Sequence, residues 1–231
     1  MKFIKKITKL GLLLIGLFIL FNVGMYVYCL ITPKMEINKA QSYYLYDNNG
    51  QEFMSNGNEW ISLDNISDYL IDATLSTEDK YFYMHFGFDY PRIAKAVITN
   101  ITTKSMSEGA STITQQYARN LFLNFDKTWS RKLDEAMLAF ELETHYTKDE
   151  ILEGYLNTIN YGGVFGIENA SKYYFNKSAS NLTLAEASML AGIPQSPSNL
   201  SPINNPEAAK ERQKIVLTLM KNNDVITEEE M

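Results

Sequence analysis

Between Leu10 and Ile31 the chain runs 22 residues without a charged side chain, nearly all Leu, Ile, Phe, Val and Gly. As a helix this run is ~33 Å long, enough to cross the hydrocarbon core of a bilayer. Asn22 is its one strongly polar residue, and Lys2, Lys5, Lys6 and Lys9 stand before it. Basic residues on that side predict a cytoplasmic N-terminus, with everything after Pro33 on the outer face of the cell membrane. A cleaved signal peptide fits less well, because the run is long for a signal core and no Ala-x-Ala-like site follows. Cys29, near the outer end, reads as a lipid-facing residue.

The rest of the chain is physically different. All 27 acidic residues follow the apolar run, facing 17 of the 21 basic ones. An acidic outer part argues against a nucleic-acid partner, which needs a basic face. One cysteine and two histidines exclude a disulfide-stapled scaffold and a Cys-based zinc site. The 231 residues suffice for one ordinary domain beyond the anchor.

Periodicity divides that part. Residues 1–9 form a cytoplasmic tail and 10–31 the membrane helix. Residues 34–66 predict a β-rich lead-in: Tyr43 to Tyr46 is strand-like, Asp47-Asn48-Asn49-Gly50 is a turn signal, and Gln51 to Met54 returns. From Ser67 to residue 222 the pattern is helical. Tyr69, Leu70, Ala73 and Leu75 predict one buried stripe. Ile93, Ala94, Val97 and Ile98 predict a second, with Asp89 as cap and Pro91 in the first turn. Leu133, Met137, Leu138 and Phe140 predict a third. Thr147/Glu150 and Thr183/Glu186 have capping-box spacing, and Asn205-Pro206-Glu207 opens a helix to about Lys221. Thr227 to Glu230 is another capping-box start inside the 223–231 tail. It is readable as the first turn of a linker helix in a longer protein or as an acidic frayed end.

Three clusters concentrate reactive side chains. In Ser76-Thr77-Glu78-Asp79 through Tyr83-Met84-His85-Phe86-Gly87, adjacent carboxylates followed by aromatics and a histidine can supply a general base. The same residues also suit an exposed acidic helix end. Gly109-Ala110-Ser111-Thr112-Ile113-Thr114-Gln115-Gln116 is rich in hydroxyls and amides. Such a run either grips an oxygen-rich ligand such as a sugar or pyrophosphate or caps a helix, and composition does not choose between them. Arg131 and Glu135, with Lys132 between them, share a helix face. Beside Arg119 they concentrate cations in an acidic domain, as an anionic leaving group requires.

Together these motifs resemble the peptidoglycan glycosyltransferases of glycosyltransferase family 51, found alone or as the first domain of class A penicillin-binding proteins. The signatures fall in order as Glu78-Asp79-x-x-Phe82-x-x-His85-x-Gly87, Gly109-x-Ser111-Thr112-Ile113-Thr114-Gln115-Gln116, Arg131-Lys132-x-x-Glu135 and Lys148-x-Glu150-Ile151-Leu152-Glu153-x-Tyr155-Leu156-Asn157. A fifth survives as Arg212-Gln213-Lys214-Ile215-Val216-Leu217, with Glu211-Arg212 where two arginines are frequent. Arg119 stands where many relatives carry Lys, and Ala110 replaces a common glycine. The resemblance covers roughly residues 40–222, and four long motifs in register are very specific.

The resemblance implies a mainly α, lysozyme-like domain with a membrane-hugging small subdomain. It implies polymerisation of lipid II into glycan strands with inversion and release of undecaprenyl pyrophosphate. Its partners would be lipid II, the growing glycan, the membrane and other cell-wall synthesis or division proteins. It casts Glu78 as catalytic base and Glu135 as the second glutamate, a site-orienting or metal-associated carboxylate. Arg131 is the main pyrophosphate donor. Asp79, Ser111, Thr112, Gln115, Gln116, Arg119 and Lys132 join the substrate-binding set. A divalent cation such as magnesium suits a pyrophosphate, although no motif demands one. His85 would hold the loop that presents Glu78, and Glu153, Tyr155 and Asn157 would be scaffold. Two rival classes are a membrane-anchored muramidase or lytic transglycosylase and a non-catalytic wall-binding module. The Ser-x-x-Lys, Ser-x-Asn and Lys-Thr-Gly set of a transpeptidase is absent from these residues.

Overall fold

The computed structural model describes residues 2–37, 43–46, 52–56, 59–103, 109–122 and 129–231. Among them the protein is mainly helical. The apolar run lies in α1 (Lys2–Ile31), of which Thr8–Ile31 is long and apolar enough to cross a membrane. Strands β1 (Tyr43–Tyr46) and β2 (Glu52–Asn56) pair antiparallel, Tyr43 opposite Asn56, with an irregularity after Leu45. The expected turn at 47–50 lies outside the described residues.

The remaining helices are α2 (Asp68–Glu78), α3 (Tyr90–Thr103), α4 (Ile113–Phe122), α5 (Trp129–His145), α6 (Lys148–Thr158), α7 (Ile167–Phe175), α8 (Leu184–Gly192) and α9 (Pro206–Asn222). Local chemistry starts several of them. Thr147 and Thr183 each accept the amide of the glutamate three residues on, while that glutamate accepts the cap amide, giving two complete capping boxes. The Arg92 amide donates to Asp89 Oδ1 at 2.9 Å, so Asp89 caps α3 as its position predicts.

The main core lies where α2 packs on α8 and α9, and α4 on α6. Leu70, Ala73, Tyr117, Ile151, Leu152, Tyr155, Leu190 and Val216 are all fully buried there. Each large apolar side chain so placed is worth roughly 1.5–3 kcal/mol. Gly154 lets α4 and α6 approach, since a Cβ there would sit 2.1 Å from the Tyr117 hydroxyl. Glu153 and Asn157 tie this core to the preceding segment. Glu153 accepts from the Trp60 indole at 2.8 Å and the Leu63 amide at 3.0 Å, and Asn157 accepts from the Ile61 amide at 3.0 Å.

Four sequence expectations need correcting, the first being Tyr69 of the expected α2 stripe, which is exposed. Of the α3 stripe, Val97 and Ile98 are exposed, as is Ile101 at 71%, and only Ala96 in that helix is buried. In α5, Leu133 is 68% exposed and Met137 is also out, while Phe140 is buried. Helical periodicity reveals an apolar face but not what covers it. Cys29 is not lipid-facing. It is fully buried in a second cluster with Phe88, Ala139 and Phe140, where α1 runs along α5.

Candidate active site

The two carboxylates at the end of α2 part company because the helix stops between them. Glu78 is the last helical residue, and Asp79 takes an extended φ of −159° that turns its side chain inward. Asp79 is 1% exposed. Its Oδ1 lies 2.9 Å from His85 Nε2, and its Oδ2 accepts the Ile113 amide at 3.0 Å. A carboxylate here meets the unpaired amides and the positive end of α4. His85 thus holds the loop after Glu78 by way of Asp79.

Glu78 faces a cavity of 630 Å³ lined also by Lys80, Arg92, Lys95 and Gly109. Gln116 Nε2 donates to its Oε2 at 2.8 Å, and an Arg92 Nη1 donates to its backbone carbonyl. Tyr81, Asp89 and Pro91 line both this cavity and an 810 Å³ groove whose other walls include Val23 and Tyr26 of α1, Phe86, Phe88 and Phe140. The polar cleft and the apolar groove along the anchor are therefore neighbours that share a wall.

Residues 111–116 form the start of α4 and connect the site. The Thr112 hydroxyl donates to the Gly87 carbonyl at 2.7 Å and accepts the Gln115 amide at 3.2 Å, while Gln115 Oε1 accepts the Thr112 amide at 3.1 Å. Thr112 and Gln115 are both buried, and their side chains hold the backbone of this turn. Gly87 needs its φ of +72°, which L side chains rarely adopt. Thr114 donates to Glu143 Oε1 at 2.5 Å, and Lys148 reaches the same oxygen at 2.7 Å.

The opposite end of the segment meets the cations. Lys132 Nζ donates to Ser111 Oγ at 3.0 Å and to Glu135 Oε1, and an Arg131 Nη1 donates to Glu135 Oε2 at 2.8 Å. The Glu135 side chain is fully buried, a position a carboxylate holds only when both oxygens are satisfied. That pairing does not fit a resident divalent-ion ligand. Among the described residues no group of three or more His, Cys, Asp or Glu is placed to share an ion.

A second cavity, of 440 Å³, lies beyond Gln116 and is lined by Arg119, Asn120, Asn160 and Phe165. Arg119 Nε is buried there with no hydrogen-bond partner among the described residues. The Tyr155 hydroxyl donates to Gln116 Oε1 at 3.3 Å, so Gln116 is held from behind while it holds Glu78. Burial, then the charge of Glu78, pushes the Tyr155 hydroxyl well above the ordinary tyrosine range. Arg212 of α9 is lowered by burial, with Glu78 pulling the other way.

The ten sequence candidates thus fall into two groups joined by one turn. Glu78 and Asp79 line the cleft, and Gln116, which donates to Glu78, lines the neighbouring cavity with Arg119. Ser111, Arg131, Lys132 and Glu135 form the cation cluster, and Thr112 and Gln115 build the turn between them. Sequence reasoning left out Arg92, Glu143 and the contribution of Tyr155. The Asp89-x-x-Arg92 cap spacing hints at the first, and no local signal marks Glu143.

Comparisons with known proteins bear on the family. A family model described as Transglycosylase matches residues 47–221. Penicillin-binding protein 2D of Bacillus subtilis is 47% identical over 199 residues, 85% of this chain and 29% of that protein. Penicillin-binding protein 1F of the same organism is 42% identical over 223 residues, 95% of this chain and 31% of that protein. The chain spans about three tenths of the length of these two relatives. A crystal structure of penicillin-binding protein 1A from Haemophilus influenzae aligns with a TM-score of 0.47 and 22% identity over 84% of this chain and 20% of that one. With the family model covering most of the chain and relatives 42–47% identical over most of it, the protein belongs to the Transglycosylase family, the peptidoglycan glycosyltransferases that its motifs resemble.

Proposed function

We propose that the chain polymerises lipid II into glycan strands on the outer face of the cell membrane, inverting the anomeric centre at each addition. The 4-hydroxyl of an acceptor sugar attacks C1 of the growing chain and its proton passes to Glu78. As the new C–O bond forms, the bond from C1 to undecaprenyl pyrophosphate breaks and the electron pair leaves on the phosphate. Glu78 is suited to the base role because Gln116 and Arg92 fix its carboxylate and its backbone. Arg131, Lys132 and Arg119 supply fixed positive charge for the departing diphosphate. A divalent cation would arrive with that diphosphate. The prenyl chain lies along the apolar groove beside α1, and the four N-terminal lysines keep that end cytoplasmic.

The observation that carries this reading is the 111–116 turn, which holds the base at Gln116 and the cations at Ser111. General-base help and leaving-group charge are both needed in one displacement, and here one short segment sets both. The test is incubation of the membrane-reconstituted chain with fluorescent lipid II, with and without moenomycin. Moenomycin-sensitive polymer is the expected product. Release of soluble fragments from sacculi without polymer would instead establish the muramidase reading.

A further inference from the structure

The strongly polar side chain inside the apolar run is not left to the lipid. Asn22 Nδ2 donates to the Phe18 carbonyl at 2.8 Å, and Asn22 Oδ1 accepts from the Tyr90 hydroxyl at 2.6 Å. The Tyr90 ring also meets Phe18 edge-on, with centroids 4.9 Å apart, and stacks on Phe88. Nine residues separate Asn22 from Ile31, so the contact lies ~14 Å along the helix from its outer end. An amide at that depth is costly unless bonded.

Tyr90 opens α3, and Asp89 caps that same turn through the Arg92 amide. The Arg92 guanidinium then donates to the carbonyl of Glu78. A short path thus leads from the middle of the anchor to the backbone of the acidic residue. A second attachment at Cys29, against Phe88 and Phe140, is seven residues further along α1, ~10 Å away. Two points fix tilt as well as depth.

We infer that Asn22 and Tyr90 form a latch inside the membrane and are positioning residues. The hydrogen bond holds the first turn of α3 and, through Arg92, the backbone of Glu78 at a set depth beside the lipid-borne substrate. The catalytic consequence rests on the glycosyltransferase reading, whereas the latch itself does not.

The test uses the full chain in phospholipid nanodiscs, comparing Asn22→Leu, Tyr90→Phe, the double variant and Asn22→Gln. Hydrogen exchange across residues 88–96 reads the latch without any activity. Lipid II polymerisation reads its consequence. Each of Asn22→Leu and Tyr90→Phe should speed exchange in that segment by about three- to thirtyfold, the range for a hydrogen bond between helices in a membrane. The value of kcat should fall by a similar factor with KM within about twofold, on the premise that the latch serves geometry and not substrate affinity. The double variant should be no worse than either single one, and Asn22→Gln, which keeps an amide, should recover most of the loss. Unchanged exchange in both single variants overturns the latch, as does a double variant equal to the product of the two. Faster exchange with unaltered kcat overturns the positioning role. A wild-type protein that forms no polymer sinks the glycosyltransferase reading, and the exchange measurement still decides the latch.

Discussion

The helices of this protein use their apolar faces in two opposite ways. In α6 and α8 the apolar residues point into the core, and Ile151, Leu152, Leu190 and Ala191 are almost wholly inaccessible. In α3 and α5 comparable residues, Ile98, Ile101, Leu133 and Met137, point away from the protein. All four helices carry apolar residues at helical spacing, and that spacing does not say what lies opposite. One lobe completes itself with protein. The other, together with α1, presents apolar surface that suits a second apolar phase, and a bilayer supplies one. The cleft lies at the join, with its carboxylate on the last turn of the inward lobe and its groove wall on the anchor.

That contrast can be broken in several ways. The largest effect belongs to the join. Glu78→Gln should cut polymerisation by ~10²–10⁴-fold while the melting temperature stays within about a degree of wild type, since Glu78 serves neither core. A variant that unfolds, or one that still makes polymer, would remove the cleft from its place between the lobes.

Next comes a matched pair of truncations. Leu70→Ala in the inward lobe should cost about 2–5 kcal/mol in a denaturant titration. Ile98→Ser with Ile101→Ser on the outward face should change solution stability by under about 1 kcal/mol but weaken association of the anchor-deleted domain with liposomes. Equal losses of stability from the two changes would erase the distinction between the lobes.

The smallest effect sharpens the inward lobe alone. Thr183→Ala should cost about 1 kcal/mol by uncapping α8. Burial works against the Glu186 charge, but the Thr183 amide and hydroxyl and Lys177 outweigh it and hold Glu186 below its ordinary 4.5. A lowered carboxylate contributes fully above its unfolded value and loses that contribution as pH falls through the folded one. The gap between variant and wild type should therefore be widest near neutral pH and narrow in acid, as a pH series of denaturant titrations will show.

Much of the site was legible because its parts are local. Asp89 and its capped amide, the two Thr-x-x-Glu boxes and the Arg131/Glu135 pair all join residues three or four apart, a separation that helical geometry makes readable. The motif order likewise singled out Glu78 and Gln116, which the fold brings into contact. Asp79 was expected to bind substrate, yet its two oxygens are turned toward His85 and the Ile113 amide, the latter 34 residues away. Arg92 and Glu143 reach their partners across 14 and 29 residues, a distance at which spacing carries no information. The direction of the α3 face and the burial of Cys29 were illegible for the same reason. Both depend on which surfaces meet, and amphipathicity alone leaves that open.

The seam around Cys29 makes the molecule its own gauge. The chain contains a single sulfhydryl, and it is sealed where the anchor meets α5. An environment-sensitive maleimide will therefore attach only while the anchor leans away from the domain. The labelling rate of the unaltered protein thus counts how often the enzyme lets go of its own tether.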